Sequence, residues 1–362
     1  MKKIWIYGAG KRGLEAYKKY ATYNNQQNMF AGFVDSYRCG QLCAGIKISE
    51  LTEVPREDII VISVASSDKI VQIYDLLREL EYNNIFLFDN ERNMQKTTFI
   101  GNCCIDCSNW GVAVLPQAEM HVSDYCNLNC RGCTHYSPIF SRQLPDTTER
   151  IHDIELLASN FTHIVDFYLL GGEPFLNPDI EEYIIQAYEL LPDTRLHIVT
   201  NGLLLPQISS NVFHTINQYN VEISISEYKP THQIIDKVKD TLEKYNVRYK
   251  IRPYDSKQMF NKPLVEQSNK TYDKLCISDG CVNVWNGKIA RCPSLMYVQE
   301  LNKRFGLDLP SDGIYQLDGK ISGRELKRLM QEGVPLCEHC VKNPIEWTCC
   351  GTQAKVTDFV EV

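Results

Sequence analysis

The sequence predicts an α/β fold. Three observations carry that prediction. Short β-branched segments alternate with amphipathic ones, the alternation occurs in two separate runs, and the second run gives way to a cysteine-rich stretch with little periodicity. With 362 residues, 44% of them hydrophobic, the chain is long enough for two or three domains with sizeable cores.

The first run covers residues 1–92. Its strands are "KKIWIYG", "NMFAGFVDS", "DIIVISVA" and "NIFLFD". The third is apolar on both faces, as a parallel strand buried between helices requires. "KRGLEAYKKYATY" and "DKIVQIYDLLRELEY" read as helices, the latter from the spacing of Ile70, Ile73, Leu76, Leu77 and Leu80. Between the first strand and the first helix, Gly8, Gly10 and Gly13 form G-x-G-x-x-G. Asp35 ends the next strand, where an acidic residue meets a ribose. Backbone N–H groups at the helix start suit a phosphate, with Lys11 and Arg12 beside them. The run is half of a dinucleotide fold. It resembles small Rossmann-like domains attached to sugar-modifying proteins, which implies either a bound nucleotide, such as a nucleotide-sugar, or an empty scaffold.

Residues 93–116 read as a connector holding Cys103, Cys104 and Cys107. The second run covers residues 117–255, with strands "EMHVSD", "IVDFYLLGG", "RLHIVTNG", "VEISISE" and "VRYKIRPY" and helices such as "DIEEYIIQAYELL" and "THQIIDKVKDTLEKY". Such repeats build either an open doubly wound sheet or a barrel-like arc, with ligands at the C-terminal ends of the strands. In residues 256–362 the pattern breaks down. Cys276, Cys281, Cys292, Cys337, Cys340, Cys349 and Cys350 lie there, and metal is expected to substitute for a core.

The net charge is −7 and no long basic run occurs, which argues against a nucleic-acid partner. No apolar run reaches the length of a membrane span. The apolar start is short and glycine-broken, so it reads as a strand and not an export signal, and a cytoplasmic location is expected. In a reducing compartment, 15 cysteines point to metal or redox chemistry and not to disulfides. Cys39 and Cys43 are expected to be small buried hydrophobes.

The most informative stretch is "SDYCNLNCRGCTHYSP". Cys126, Cys130 and Cys133 stand in C-x3-C-x2-C spacing directly after a strand. Zinc sites pair C-x2-C with a second pair, and ferredoxins use four thiolates per cluster. Three local thiolates leave one iron of a [4Fe–4S] cluster open to another ligand. In this the chain resembles the radical S-adenosylmethionine (SAM) enzymes, whose CxxxCxxC follows the first strand of a partial (β/α)6 barrel. Their second hallmark is matched by Gly171, Gly172, Glu173 and Pro174. Thr200 and Asn201 of "VTNG", then Ser224 and Ser226 of "SISE", follow in the expected order.

The resemblance implies reductive cleavage of SAM to a 5′-deoxyadenosyl radical, which takes a hydrogen atom from a substrate. It gives the two glycines a close approach to SAM, Glu173 the SAM ammonium group, and Asn201, Ser224 and Ser226 the ribose. The family's aromatic residue before the third cysteine is Gly132 here, with Tyr125, His135 or Tyr136 as substitutes. Cys276, Gly287 and Cys292, with Cys337 and Cys340 downstream, resemble SPASM/twitch extensions and imply one auxiliary cluster, held by Cys292, Cys337, Cys340 and either Cys276 or Cys281. A structural zinc knuckle is the alternative. His135, Tyr136, Glu227, Tyr228 and Arg252 are candidate substrate contacts. The implied partners are a flavodoxin- or ferredoxin-type electron donor and a substrate, either a small polar molecule such as a nucleotide-sugar or a peptide, in an anaerobic setting. A non-catalytic iron–sulfur sensor or electron relay is the rival reading.

Overall fold

The computed structural model describes residues 2–23, 29–89, 99–255, 259–261, 264–268, 280–340 and 344–361. They fall into two units, Met1–Pro116 and Gln117–Val362. The first contains β1 (Ile4–Tyr7), α1 (Lys11–Thr22), β2 (Phe30–Val34), β3 (Leu42–Cys43), β4 (Ile46–Ser49), β5 (Ile59–Ile62), α2 (Ser67–Glu79), β6 (Ile85–Phe88), α3 (Phe99–Cys103) and β7 (Cys104–Asp106). Its sheet has the order β3-β4-β2-β1-β5-β6-β7. The pairs β1/β2, β1/β5, β5/β6 and β2/β4 are parallel. Strand order therefore reverses between β1 and β5, the place where open α/β sheets form a ligand crevice.

Three expectations need correction here. Residues 99–106 are not a free connector, because β7 pairs antiparallel with β6 and Cys103, Cys104 and Cys107 are buried. Cys39 is exposed, while Cys43 is buried. In α2 the buried apolar face is Ile70, Val71, Tyr74 and Leu77, and Leu76 faces outward.

The second unit begins on β8 (Val114–Ser123). It continues through α4 (Thr147–Asn160), β9 (His163–Gly171), α5 (Ile180–Leu190), β10 (Arg195–Thr200), α6 (Ser210–Gln218), β11 (Glu222–Ser226), α7 (Lys229–His232), α8 (Ile235–Lys244) and β12 (Tyr249–Arg252). These strands lie in the order β12-β11-β10-β9-β8, the side-by-side strand–helix arrangement of a partial TIM-like barrel. Their side chains alternate by face. Met120, Val122, Phe167, Leu169, Leu196, Ile198, Ile223 and Ile225 are buried. The helices match them with apolar stripes, for example Ile180, Ile184 and Ala187 of α5 and Val212, Phe213 and Ile216 of α6.

Residues beyond 255 join this unit and do not stand apart. β13 (Met259–Asn261) and β14 (Leu264–Val265) lead to a hairpin of β15 (Asn283–Trp285) and β16 (Lys288–Ala290). Next come α9 (Pro293–Met296), α10 (Val298–Phe305), β17 (Ile314–Gln316), α11 (Gly323–Met330), β18 (Pro344–Glu346) and β19 (Val360–Glu361). β15 pairs parallel with β8, so the tail extends the same sheet as β8-β15-β16-β17. β18 pairs with β13, and β19 with β14. Tyr136, Leu295, Met296, Leu301, Leu336, Phe359 and Val360 form a core of the tail's own, so metal is not the sole organiser there.

Candidate active site

The cysteine loop leaves the C-terminal end of β8. Cys126 and Cys133 are half-buried and Cys130 is buried. Burial pushes the Cys126 thiol up to about 12 and raises those of Cys130 and Cys133. Buried thiols of this kind ionise only against a strong positive charge, which a metal centre provides. N–H donors already address two of the sulfurs. Leu128 N–H reaches Cys126 Sγ at 3.3 Å, and Trp347 Nε1–H reaches Cys130 Sγ at 3.2 Å. Three thiols with N–H donors and no interposed carboxylate suit an iron–sulfur cluster. Among the described residues, no group of three or more His, Cys, Asp or Glu is arranged to hold a metal ion.

The end of β9 is fastened to this loop by backbone. Gly172 N–H donates to Ser123 O at 2.7 Å, and Glu173 N–H to Tyr125 O at 3.1 Å. A Cβ on Gly171, at φ +128°, would lie 2.1 Å from Ser123 O, and one on Gly172 would lie 2.0 Å from Tyr125 O. Both glycines are therefore demanded by the chain's own close approach, and not only by a ligand. Pro174 opens a 3₁₀ turn and is buried.

The Glu173 carboxylate is turned inward and fully buried. It accepts from Phe175 N–H at 3.2 Å, Thr200 Oγ1–H at 2.7 Å and Asn201 N–H at 3.0 Å. Burial raises its pKa to about 7 against those donors. It ties β9 to β10, a structural role the sequence did not suggest. Thr200 is likewise occupied. Asn201 Nδ2 donates to Asn127 Oδ1 at 2.6 Å and lies 3.6 Å from Cys126 Sγ, so this residue belongs to the cysteine loop's surroundings. Ser224 and Ser226 remain half-buried near the end of β11.

Other expected contacts divide. Tyr136 is 3% exposed and packs edge-on against Phe359 in the tail core. Glu227 accepts from His232 and from Tyr254 N–H, which makes it a loop tie. Arg252 is exposed. His135 joins a buried network: its Nδ1 is 2.8 Å from His121 Nε2, and His121 Nδ1 is 3.0 Å from Asp124 Oδ1. The Asp124 carboxylate can only accept, so His121 donates to it through Nδ1 and accepts from His135 through Nε2. Burial lowers the pKa of both histidines. Burial works to raise Asp124, but His121 and Arg150 outweigh it and hold the carboxyl low.

Sequence reasoning missed a polar face. Opposite the apolar residues of the sheet stand Glu119, His121, Asp166, Tyr168, Arg195, His197, Glu222 and Lys250. Asp166 takes Arg195 at 2.7 Å and His197 at 2.9 Å, while Glu222 lies 3.4 Å from His197 and 2.7 Å from Lys250. Every second residue of "DFY", "RLH" and "EIS" is polar, and that alternation was the available signal.

In the tail, Cys281 and Cys292 flank the β15–β16 hairpin, two residues before and two after it. Cys337 lies in a 3₁₀ turn that ends at Cys340. Burial, then the neighbouring thiols of Cys340, Cys292 and Cys133, raise the Tyr136 phenol, which puts two tail cysteines and one loop cysteine near one side chain. Cys276 lies outside the described residues. In the first unit, Gly8, at φ +106°, packs on Ser63 O, and a Cβ on Gly13 would strike Gly8 O. Asp35 accepts Ala9 N–H and Tyr37 N–H, both at 2.9 Å, so its carboxylate latches the glycine turn. Gly10 alone faces open space.

With this geometry in place, comparison with known proteins identifies one part of the chain. Residues 120–248 match the model of the radical SAM superfamily. This part of the chain is a radical SAM domain. Its cofactors are a [4Fe–4S] cluster and SAM. A curated relative, the GTP 3′,8-cyclase of Sulfurovum sp. (strain NBC37-1), is 28% identical over 123 residues, covering 33% of this chain and 37% of the relative. Among solved structures, anSMEcpe with bound AdoMet is 18% identical (38% of this chain, 43% of that one, TM-score 0.31). BtrN in complex with AdoMet and 2-DOIA is 14% identical (62% and 92%, TM-score 0.39). SuiB of Streptococcus suis bound to S-adenosylmethionine is 16% identical (38% and 40%, TM-score 0.25). The chain thus spans well under half the length of the curated relative and of anSMEcpe. Among the described residues, no helix is long and apolar enough to cross a membrane.

Proposed function

We propose that the chain is a radical SAM enzyme acting on a small polar molecule such as a sugar or nucleotide-sugar, by oxidation or epimerisation. Cys126, Cys130 and Cys133 would hold the cluster. When bound, cluster and SAM together supply a hydrogen-abstracting radical upon one-electron reduction, for which a flavodoxin- or ferredoxin-type donor is proposed. The chain's own residues do the rest. Gly172 and Glu173 fix the loop to β9, Asn201 lies beside Cys126, and Ser224 and Ser226 offer hydroxyls at the strand ends. The observation that carries the reading is the three-thiol loop at the head of a matched radical SAM domain, with N–H donors aimed at its sulfurs.

The polar strand face supports a hydrophilic substrate, because apolar ligands are usually enclosed by apolar walls. A peptide substrate is the second reading. One auxiliary cluster on Cys292, Cys337, Cys340 and either Cys276 or Cys281 belongs to the proposal, and the closeness of Cys292 and Cys340 to Tyr136 supports it.

The test is iron and acid-labile sulfide per chain after anaerobic reconstitution, with 5′-deoxyadenosine formation from SAM under reduction. The Cys126/Cys130/Cys133→Ala variant should lose about four irons and all 5′-deoxyadenosine. Iron binding without SAM cleavage in the unsubstituted chain would favour a sensor or electron relay. Residual iron of about four in the variant supports the auxiliary cluster, and none removes it.

A further inference from the structure

We infer that Trp347 sets the reduction potential of the cluster on the cysteine loop, through a hydrogen bond from its indole to Cys130. The inference rests on the assignment of Cys126, Cys130 and Cys133 as cluster ligands.

The segment around Trp347 lies across the loop as a strap. Cys350 N–H donates to Asn129 O at 2.6 Å, and Arg131 N–H donates to Thr348 O at 2.8 Å, forming a bridge between Cys130 and Cys349. Farther along, Gly132 N–H donates to Asp358 O at 2.8 Å. Just before Trp347, β18 is paired to β13. The indole stacks on Tyr228, with centroids 5.4 Å apart and planes at 22°. Backbone on both sides and an aromatic face fix the ring, and its Nε1–H meets Cys130 Sγ at 3.2 Å.

The sulfurs of Cys126 and Cys130 are served from different places. Cys126 takes Leu128 N–H from within the loop, with Asn201 of the barrel nearby. Cys130 takes its bond from a residue 217 positions away. An indole N–H can only donate, so the contact keeps one polarity whatever the state of the sulfur. It is strengthened when the sulfur carries negative charge and when water is excluded, and Cys130 is buried. Reduction adds an electron to the cluster and its thiolates. A donor to a ligating sulfur therefore favours the reduced state and raises the potential. Trp347 is on this account a positioning residue acting through Cys130.

The experiment uses the full chain, reconstituted anaerobically. Trp347→Phe keeps a ring to stack on Tyr228 and deletes the N–H. Redox titration followed by electron paramagnetic resonance should give iron and sulfide equal to wild type, with the midpoint shifted to more negative potential. Equal loading with an unchanged or more positive midpoint overturns the inference. If the variant loads less iron, wild-type protein carrying indole-¹⁵N tryptophan decides. Hyperfine coupling of a ¹⁵N nucleus to the reduced cluster supports the bond, and its absence overturns it. Wild-type protein that gathers no iron on Cys126, Cys130 and Cys133 overturns the assignment itself, and the inference with it.

Discussion

Two buried carboxyls behave differently although burial raises both to about 7. Glu119 accepts from Asn283 Nδ2 at 3.0 Å, with Cys281 also beside it. Its folded pKa lies above the ordinary 4.5, so the folded state holds the proton more tightly than the unfolded chain. The associated stability is fully present below pH 4.5 and is lost as pH rises through about 7. The size is about 3 kcal/mol at order of magnitude. Glu119→Gln keeps an acceptor for Asn283 and cannot ionise. Urea unfolding at a series of pH values should show a flatter profile for the variant across that window, and a parallel profile would refute the assignment. Glu173, by contrast, is the acceptor for three donors. Glu173→Ala strands them in a buried site, at a cost of about 3 kcal/mol or more. Calorimetry of the metal-free protein should show a clearly lowered Tm, and a change below about 1 kcal/mol would mean that water replaces the carboxylate.

At the scale of elements, β9 and β8 are locked by the two glycines between them. Gly172→Ala would drive a methyl into the Tyr125 carbonyl and displace the start of the cysteine loop. Iron content after reconstitution should fall at least several-fold, while far-ultraviolet circular dichroism stays close to wild type. Full iron loading would show that the loop can move aside. The strands of both units were legible in the sequence because each is a short apolar or alternating run. So was the placing of Cys126, Gly171, Asn201 and Ser226 at strand ends, since strand period and motif order fix those positions. What Glu173 and the glycines touch was not legible. Their partners, Thr200, Ser123 and Tyr125, are backbone or short side chains brought close only by sheet formation. The contact of Asp35 was hidden for the same reason: the Ala9 N–H that it accepts lies across the β1–β2 pair.

The second unit is built on an eight-stranded sheet in which β8 is bordered by distant sequence. β8 lies between β9 and β15. The tail was expected to be a metal-organised appendage, because its sequence has little periodicity. Yet Leu295, Leu301, Leu336 and Phe359 still find one another, since tertiary packing does not require regular spacing. A chain ending at residue 343 would lose β18, β19, Trp347 and Phe359, and it should release reconstituted iron to a chelator faster than the full chain. Equal release rates would show that the tail does not protect the cluster.

The strap also has a consequence in time. Cys130 and Trp347 are 217 residues apart, so their contact closes a long loop, and such closures come late in folding. A growing chain exposes all three loop cysteines long before Trp347 exists to cover them. The loop is therefore more open to iron during synthesis than in the finished fold, where Cys130 is buried and Cys126 and Cys133 are half-buried. Sequence order thus places the cysteine loop early in the chain and the residue that covers it near the end.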